Sequence, residues 1–398
     1  MALAAVGCGA NGGDGGASQD GPSTVTIYSS LPLHGPDRER SRDMVSAIKL
    51  ALQESAGKIG PVSVTYVSLD SSTPEMGTWT SDRVLDNART AVRDLNAIAY
   101  IGELDSAATA LSLPLTNEGH ILQVSPASTY DGLTRSGGSR PAEPDRFYPS
   151  GERTFGRVVP PDHVQAAALV GYMKTEGVRR VALLADRDLY GAGLAEQVAA
   201  AAPQQGIQVV ERGDIDVRKR DFSDRGAEIA MLHPEAFLFT GDPSPGAARL
   251  YDAVAAADPS LLLFGPGALA DTTFVRSLPP AVTRRMRLTT AVLPPQLLPR
   301  SAREFDARLR RTFGRPPAPE ALQAYEATRV VLDSIRGAGA RGNDRAAVTD
   351  AFYATRNRNS VLGTYSIDRF GDTSLSTFAG DRVTGSGLVL DKVLKVKR

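Results

Sequence analysis

The sequence predicts an α/β protein of two lobes, each built on a parallel sheet. Three observations predict it. From Thr24 onward β-rich runs alternate with amphipathic helical stretches, the pattern that gives a parallel sheet covered by helices. The alternation breaks at an irregular Pro/Gly-rich stretch, 135–161, and then restarts. A chain of 398 residues also exceeds what one core usually supports, since single cores stop growing near roughly 250 to 300 residues.

Taken in order, strands are expected at 25–30, 62–69, 98–101 and 121–124, with helices at 38–54, 83–95 and 106–117. After the break come helix 164–176, strand 181–185, helix 191–202, strand 208–212, helix 222–232, strand 236–240, helix 246–257 and strand 261–265. A second Pro-rich stretch, 288–299, leads to three helices at 302–313, 321–335 and 345–353, which the pattern alone assigns to neither lobe. Ahead of the first strand, 9–23 is glycine-rich and too poor in apolar residues to fold. A tether of that composition spans roughly 20 Å. Leu3-Ala4-Ala5-Val6-Gly7-Cys8 is similar to a bacterial lipobox, whose cysteine becomes lipidated; with seven residues ahead of it, 1–8 reads as the remnant of a signal. No apolar run of about 18 residues follows, so membrane attachment is expected through a lipid on Cys8 only.

Composition narrows the function. Lys+Arg and Asp+Glu both total 45, which removes any global pull toward nucleic acid or an anionic surface and favours a small-molecule partner. The arginine clusters 284–287 and 308–311 lack interleaved aromatics and read as solvated surface. One cysteine excludes an intrachain disulfide and a Cys-based metal cluster, and His34, His120, His163 and His233 have no metal-ligand spacing. No Gly-x-Ser-x-Gly elbow or Gly-Lys-Ser/Thr loop occurs, and Gly191-Ala192-Gly193 lacks the third glycine of a dinucleotide fingerprint, where Glu196 stands. The expectation is a binding protein, not an enzyme, with no cofactor and no metal.

Two strand-to-helix turns carry the candidate site. Tyr100-Ile101-Gly102-Glu103-Leu104-Asp105-Ser106 and Gln123-Val124-Ser125-Pro126-Ala127-Ser128-Thr129-Tyr130 each run from a strand into a turn bearing a hydroxyl. If their strands are parallel neighbours, both turns open on the sheet edge where α/β folds bind ligands. Ser106 and Thr129, with nearby backbone N–H groups, would then converge on a small anion such as a carboxylate. Ser106 equally suits an N-cap, and capping and binding can coexist.

These turns belong to seven ordered blocks: Ser29-Ser30-Leu31-Pro32-Leu33; 100–106; 124–134; Arg157-Val158-Val159-Pro160; Tyr190-Gly191-Ala192-Gly193-Leu194-Ala195; Phe264-Gly265-Pro266; and 360–368 with Gly371-Asp372-Thr373. Through them the chain resembles the type I periplasmic binding proteins of the Leu/Ile/Val-binding kind. Within that group it is most similar to actinobacterial branched-chain amino acid ABC transporter substrate-binding lipoproteins. The resemblance implies two doubly wound parallel-sheet lobes joined by a three-crossover hinge, with crossovers near Arg157, Thr289 and Gly363. The lobes would comprise 24–157 with 290–362, and 158–289 with 363–398. It implies a monomeric, extracytoplasmic, lipid-anchored protein that captures an amino acid or related carboxylate by hinge closure and delivers it to an ABC permease. A ligand-sensing ectodomain feeding a signalling partner is the alternative.

Carried over position by position, Ser106 and Thr129 match hydroxyls that hold a ligand carboxylate, with the backbone at Ala127 and Ser128 assisting. Tyr190 matches a second-lobe aromatic that closes over the ligand, and reads otherwise as a packing residue at a helix start. Two positions depart from the family. Gly267 stands where an acid commonly follows Gly-Pro to meet a ligand ammonium, and Arg40 stands where the family has an aromatic. Asp242, following strand 236–240 on the opposing lobe, and Asp105, beside Ser106, are the candidates to replace the missing acid; Asp242 reads otherwise as a turn or N-cap residue before Pro243.

Overall fold

The computed structural model describes residues 23–136, 140–385 and 387–397, so the expected lipobox at Cys8 and nearly all of the expected tether lie outside the described residues. In chain order the elements are β1 (Thr24–Leu31), α1 (Arg38–Glu54), β2 (Lys58–Ile59), β3 (Val62–Asp70), α2 (Ser81–Arg93), β4 (Ala97–Ile101), α3 (Ser106–Glu118), β5 (Leu122–Ser125) and β6 (Phe155–Arg157). Then follow α4 (Asp162–Thr175), β7 (Arg180–Ala185), α5 (Leu189–Ala201), β8 (Gln208–Asp214), α6 (Ser223–Met231), β9 (Ala236–Thr240), α7 (Pro245–Ala257), β10 (Leu262–Gly265), α8 (Thr272–Ser277), α9 (Pro280–Thr283) and β11 (Met286–Thr290). The chain ends with α10 (Arg300–Phe313), α11 (Glu320–Gly337), α12 (Arg345–Tyr353), β12 (Arg358–Ser360), β13 (Gly363–Tyr365), β14 (Thr377–Thr384) and β15 (Gly387–Lys395).

Two sheets organise the lobes. The first has the order β2-β3-β1-β4-β5-β6 and the second β15-β14-β11-β10-β9-β7-β8. Pairing is parallel except where β2 meets β3 and where β14 and β15 join β11. Central strands such as β4 (AIAYI) and β9 (AFLFT) are buried along their whole length, as strands covered by helices on both faces must be. One face of the second sheet packs Leu169, Tyr172 and Leu194 of α4 and α5; the other packs Ile229, Leu250 and Phe274 of α6 to α8.

The three helices left unassigned by pattern lie with the first lobe. Val330, Val331 and Ile335 of α11 and Phe352 of α12 share a core with Ile27, Ile98 and Val124, while Phe305 of α10 packs with Tyr325 of α11 against Ala47 and Ala51 of α1. Tyr365 and Ile367 also remain in the first-lobe core, and the second sheet takes up the chain at Thr377, beyond the expected crossover near Gly363. The Pro-rich stretch 288–299 begins inside β11, which sits between β10 and β14. Two arginines expected on solvated surface are structural instead. Arg285 donates to the carbonyls of Ala255, Asp258, Leu261 and Ala281, and the buried Arg287 meets Glu176 at 3.2 Å.

Candidate functional site

Each sheet has one place where the strand order reverses, and in open α/β sheets the crevice beyond the strand C-termini at that point is the ligand site. In the first sheet it lies between β1 and β4; in the second it lies between β7 and β9. Asp105 and Ser106 follow β4, Arg40 follows β1, Asp186, Asp188 and Tyr190 follow β7, and Asp242 follows β9. The two crevices face each other. One carboxylate oxygen from each of Asp105, Asp188 and Asp242 lies within 4.8 Å of the others, across the seam between lobes.

The first-lobe rim is held by side-chain-to-backbone bonds. β4 and β5 are parallel neighbours, Ile101 pairing with Val124, and the two hydroxyl-bearing turns meet beyond them. Ser106 Oγ accepts from the amides of Thr129 at 3.2 Å and Tyr130 at 3.3 Å, joining one turn to the other. Ser106 does not cap its helix; Asp105 does, its Oδ1 accepting from the amides of Ala107 at 2.7 Å and Ala108 at 3.2 Å. The amides of Ala127 and Ser128, expected to assist a ligand carboxylate, donate instead to Ser125 Oγ at 3.1 and 2.8 Å. The Ser128 hydroxyl points inward as well, pairing with Thr109 Oγ1 at 2.7 Å in the buried core of the lobe. The physical reason is shared: a buried turn must satisfy its own polar groups, and Ser125 and Thr109 lie within hydrogen-bond reach. Thr129 keeps partial exposure, with its side chain beside the Asp162 carboxyl.

On the second-lobe rim the buried Asp186 sets the geometry. Its Oδ1 accepts from the Asp188 amide at 3.2 Å and its Oδ2 from the Asp242 amide at 3.0 Å. Asp188 Oδ1 caps α5 through the Leu189 amide at 2.6 Å. Asp242 caps nothing, because Ser244 Oγ takes the cap of α7 from the Ala247 amide at 3.0 Å, so its carboxylate remains at the seam. Tyr190 is buried in the second-lobe core, and burial and then Asp162, Asp242 and Asp186 hold its hydroxyl well above the usual phenol range. Arg40 stands at the cleft mouth, where Nη2 meets Asp37 Oδ1 at 2.5 Å and Nη1 meets Glu320 Oε1 at 3.4 Å. Gly267 has a local cause: a Cβ there would press on the Thr289 carbonyl at 3.0 Å and Gln165 Nε2 at 3.3 Å.

Crowded carboxylates resist ionising together. Desolvation and then the neighbouring Asp188 push Asp105 up to about 7. Desolvation pushes Asp186 up to about 6, and desolvation with Asp105 and Asp186 holds Asp242 well above the usual carboxylate range. Burial works against the Arg40 charge, but Glu320, Asp37 and Asp242 together outweigh it and raise its pKa. A cation placed among the three aspartates would relieve this frustration. The oxygen-only set suits an ammonium or a hard metal ion.

Asp186, Asp188 and Asp162 escaped the sequence reading. The first two follow β7 in the way that Asp242 follows β9, so the criterion that selected Asp242 would have found them. Nothing in the local sequence marks Asp162, whose fully buried carboxyl oxygens find no hydrogen-bond partner among the described residues and whose pKa burial and then Asp131 push up to about 8. Among the described residues no helix is long and apolar enough to cross a membrane.

Comparison with known proteins agrees with this architecture. A family model described as periplasmic binding protein matches residues 24–374. The Leu/Ile/Val-binding protein homolog 3 of Brucella melitensis is 24% identical over 364 residues, 89% of this chain and 90% of that one. The Leu/Ile/Val-binding protein BraC3 of Rhizobium johnstonii is 25% identical over 362 residues, 89% of this chain and 90% of its own length. In structure, the leucine-binding protein LivK of Thermotoga maritima superposes with a TM-score of 0.79 at 23% identity, over 93% of this chain and 99% of that one. A solute-binding protein of R. palustris in complex with benzoate gives 0.75 at 18% identity, over 94% and 97%. The match over most of its length, on two sheets that present their switch points to one another, means that this chain belongs to the periplasmic binding protein family, a family of solute binders rather than enzymes.

Proposed function

We propose that this chain is the extracytoplasmic solute-binding subunit of an ABC importer, and that it captures a small amino acid or related carboxylate whose cationic group sits among Asp105, Asp188 and Asp242. The observation that carries the reading is the approach of three aspartate oxygens, from both lobes, to within 4.8 Å. Relatives named for Leu/Ile/Val binding support an amino-acid-like solute, and the Ser106 and Thr129 rim is the place for its carboxylate. The second-lobe acid is displaced from position 267 to Asp242 and Asp188, which suits a solute whose ammonium lies deeper toward β7 and β9. A permease would read the closed shape, and a lipid on Cys8 would hold the monomer at the membrane.

The test is mass spectrometry of solute released from the purified protein, followed by a thermal-shift screen of aliphatic, amide-bearing and basic amino acids beside aromatic acids. A bound solute raises the melting temperature with the logarithm of its concentration over Kd. Asp242→Asn should weaken an ammonium-bearing solute by about 1 to 3 kcal/mol, the range for a hydrogen bond to a charged group. Equal affinity of the variant for such a solute removes Asp242 from the site, and recovery of a solute without any cationic group overturns the cluster's role.

A further inference from the structure

One close contact between the lobes is made by an aromatic ring and a glycine. Tyr130, in the loop after β5, is buried with Leu113, Leu133, Phe147 and Phe155 of the first lobe, and Leu189 at the start of α5 completes that apolar cluster from the second lobe. The Tyr130 hydroxyl donates to Glu143 Oε2 at 2.5 Å, which fixes the ring's direction. One side of the ring lies over Gly132, where an added Cβ would come within 2.3 Å of it. Its other side lies against Gly193 of α5, where an added Cβ would stand 2.5 Å from Cδ2 and 2.7 Å from Cε2.

Gly193 lies inside α5, a setting in which alanine is the better helix former. Neither its own helix nor its own lobe requires the missing side chain: the atoms that an alanine methyl would strike belong to the Tyr130 ring, and the next nearest, Asp162 Oδ2, is at an ordinary 3.7 Å. The requirement comes from the opposite lobe, and it exists only while the lobes are together.

We propose that Gly193 and Tyr130 are positioning residues that set how closely the two lobes can approach around the solute, and that Leu189 is the apolar contact that favours the approached state. This rests on the interlobe cleft being the solute site, but the distance between the lobes can be measured with no solute added. An alanine at 193 should improve α5 and oppose closure at once, a combination that ordinary packing damage does not produce.

The experiment places spin labels at Met76→Cys and Arg218→Cys, in a Cys8→Ser background of the full chain, and measures the interlobe distance distribution by pulsed electron paramagnetic resonance. Met76 is 65% exposed in the loop after β3, and the Arg218 side chain is 85% exposed in the loop after β8, so the labels sit on opposite sides of the cleft. Gly193→Ala should lengthen the distance while leaving the melting temperature equal or higher. Tyr130→Ala added to Gly193→Ala should restore the short distance. Leu189→Ala alone should also lengthen it, by a smaller amount. Coincident distributions for the parent and Gly193→Ala overturn the proposal, as does a Gly193→Ala chain that opens only because its lobes melt at a lower temperature. Recovery of a cationic solute with unchanged distances would leave the solute reading standing and this one overturned.

Discussion

At the scale of single residues, the candidate site is built from side chains that hold its backbone in place. Ser106 accepts two amides of the neighbouring turn. Ser106→Ala would leave both donors without that acceptor in a buried setting, so the unfolding free energy in urea should fall by about 1 to 3 kcal/mol whatever the solute. The acidic cluster makes a pH prediction of definite sign. Asp105 and Asp186 titrate near 7 and 6 in the folded protein against a usual value of 3.8, so between about pH 4 and pH 7 the folded state holds protons that the unfolded state has lost. Stability contributed by these groups therefore falls as pH rises through that window and is flat above it. Melting temperatures of the solute-free protein from pH 4.5 to 7.5 should follow that decline, and Asp242→Asn should flatten it. Binding of a cationic solute at pH 6 to 7 should release protons, which calorimetry in buffers of different ionisation enthalpy would detect.

At the scale of elements, most strands and helices were legible because their signals are local. The burial pattern of β4 and β9, the restart of the alternation after 161, and the helices 302–313, 321–335 and 345–353 all lie within two or three residues of the observed bounds. What escaped was non-local. β6 and β11 are three and five residues long and gain their status from neighbours 30 or more residues distant in the case of β6 and from β14 near the chain end in the case of β11. The inward-facing amides of Ala127 and Ser128 depend on Ser125, whose rotamer no spacing reveals. Asp105 and Asp242 were legible as a pair because both end strands at a sheet edge; that Asp188 would join them depends on how two lobes meet. The turn after β7 has its own test. A Cβ on Gly191 would fall 2.1 Å from Asp186 Oδ1 and 2.7 Å from the Thr240 carbonyl, so Gly191→Ala must displace the carboxylate that orders both Asp188 and Asp242. Overpacking of this kind costs about 1 to 3 kcal/mol, and the variant should lose solute affinity as well as thermal stability.

At the scale of the whole molecule, Arg157 ties the connections together. Fully buried, its guanidinium donates to the carbonyls of Ser128 at 3.2 Å and Tyr130 at 2.9 Å in the turn after β5, to Thr134 Oγ1 at 2.6 Å, and to Asp372 Oδ1 at 2.8 Å in the last passage between lobes. Burial alone would raise the Asp372 pKa, but Arg157 and Arg135 outweigh it and hold it low. Asp372→Asn would strand a buried positive charge, and losses of this type run about 3 to 5 kcal/mol; a thermal melt of the variant should show one early transition involving both lobes. The route of the chain through the lobes has a further consequence for biosynthesis. The first sheet is begun by β1 but needs α11, more than 290 residues downstream of Thr24, to cover Ile27, Ile98 and Val124. The lobe that leaves the ribosome first is therefore covered only after much of the other has emerged, and a nascent polypeptide ending near Thr290 would carry β7 to β11 beside a first sheet whose α11 face holds α1 alone.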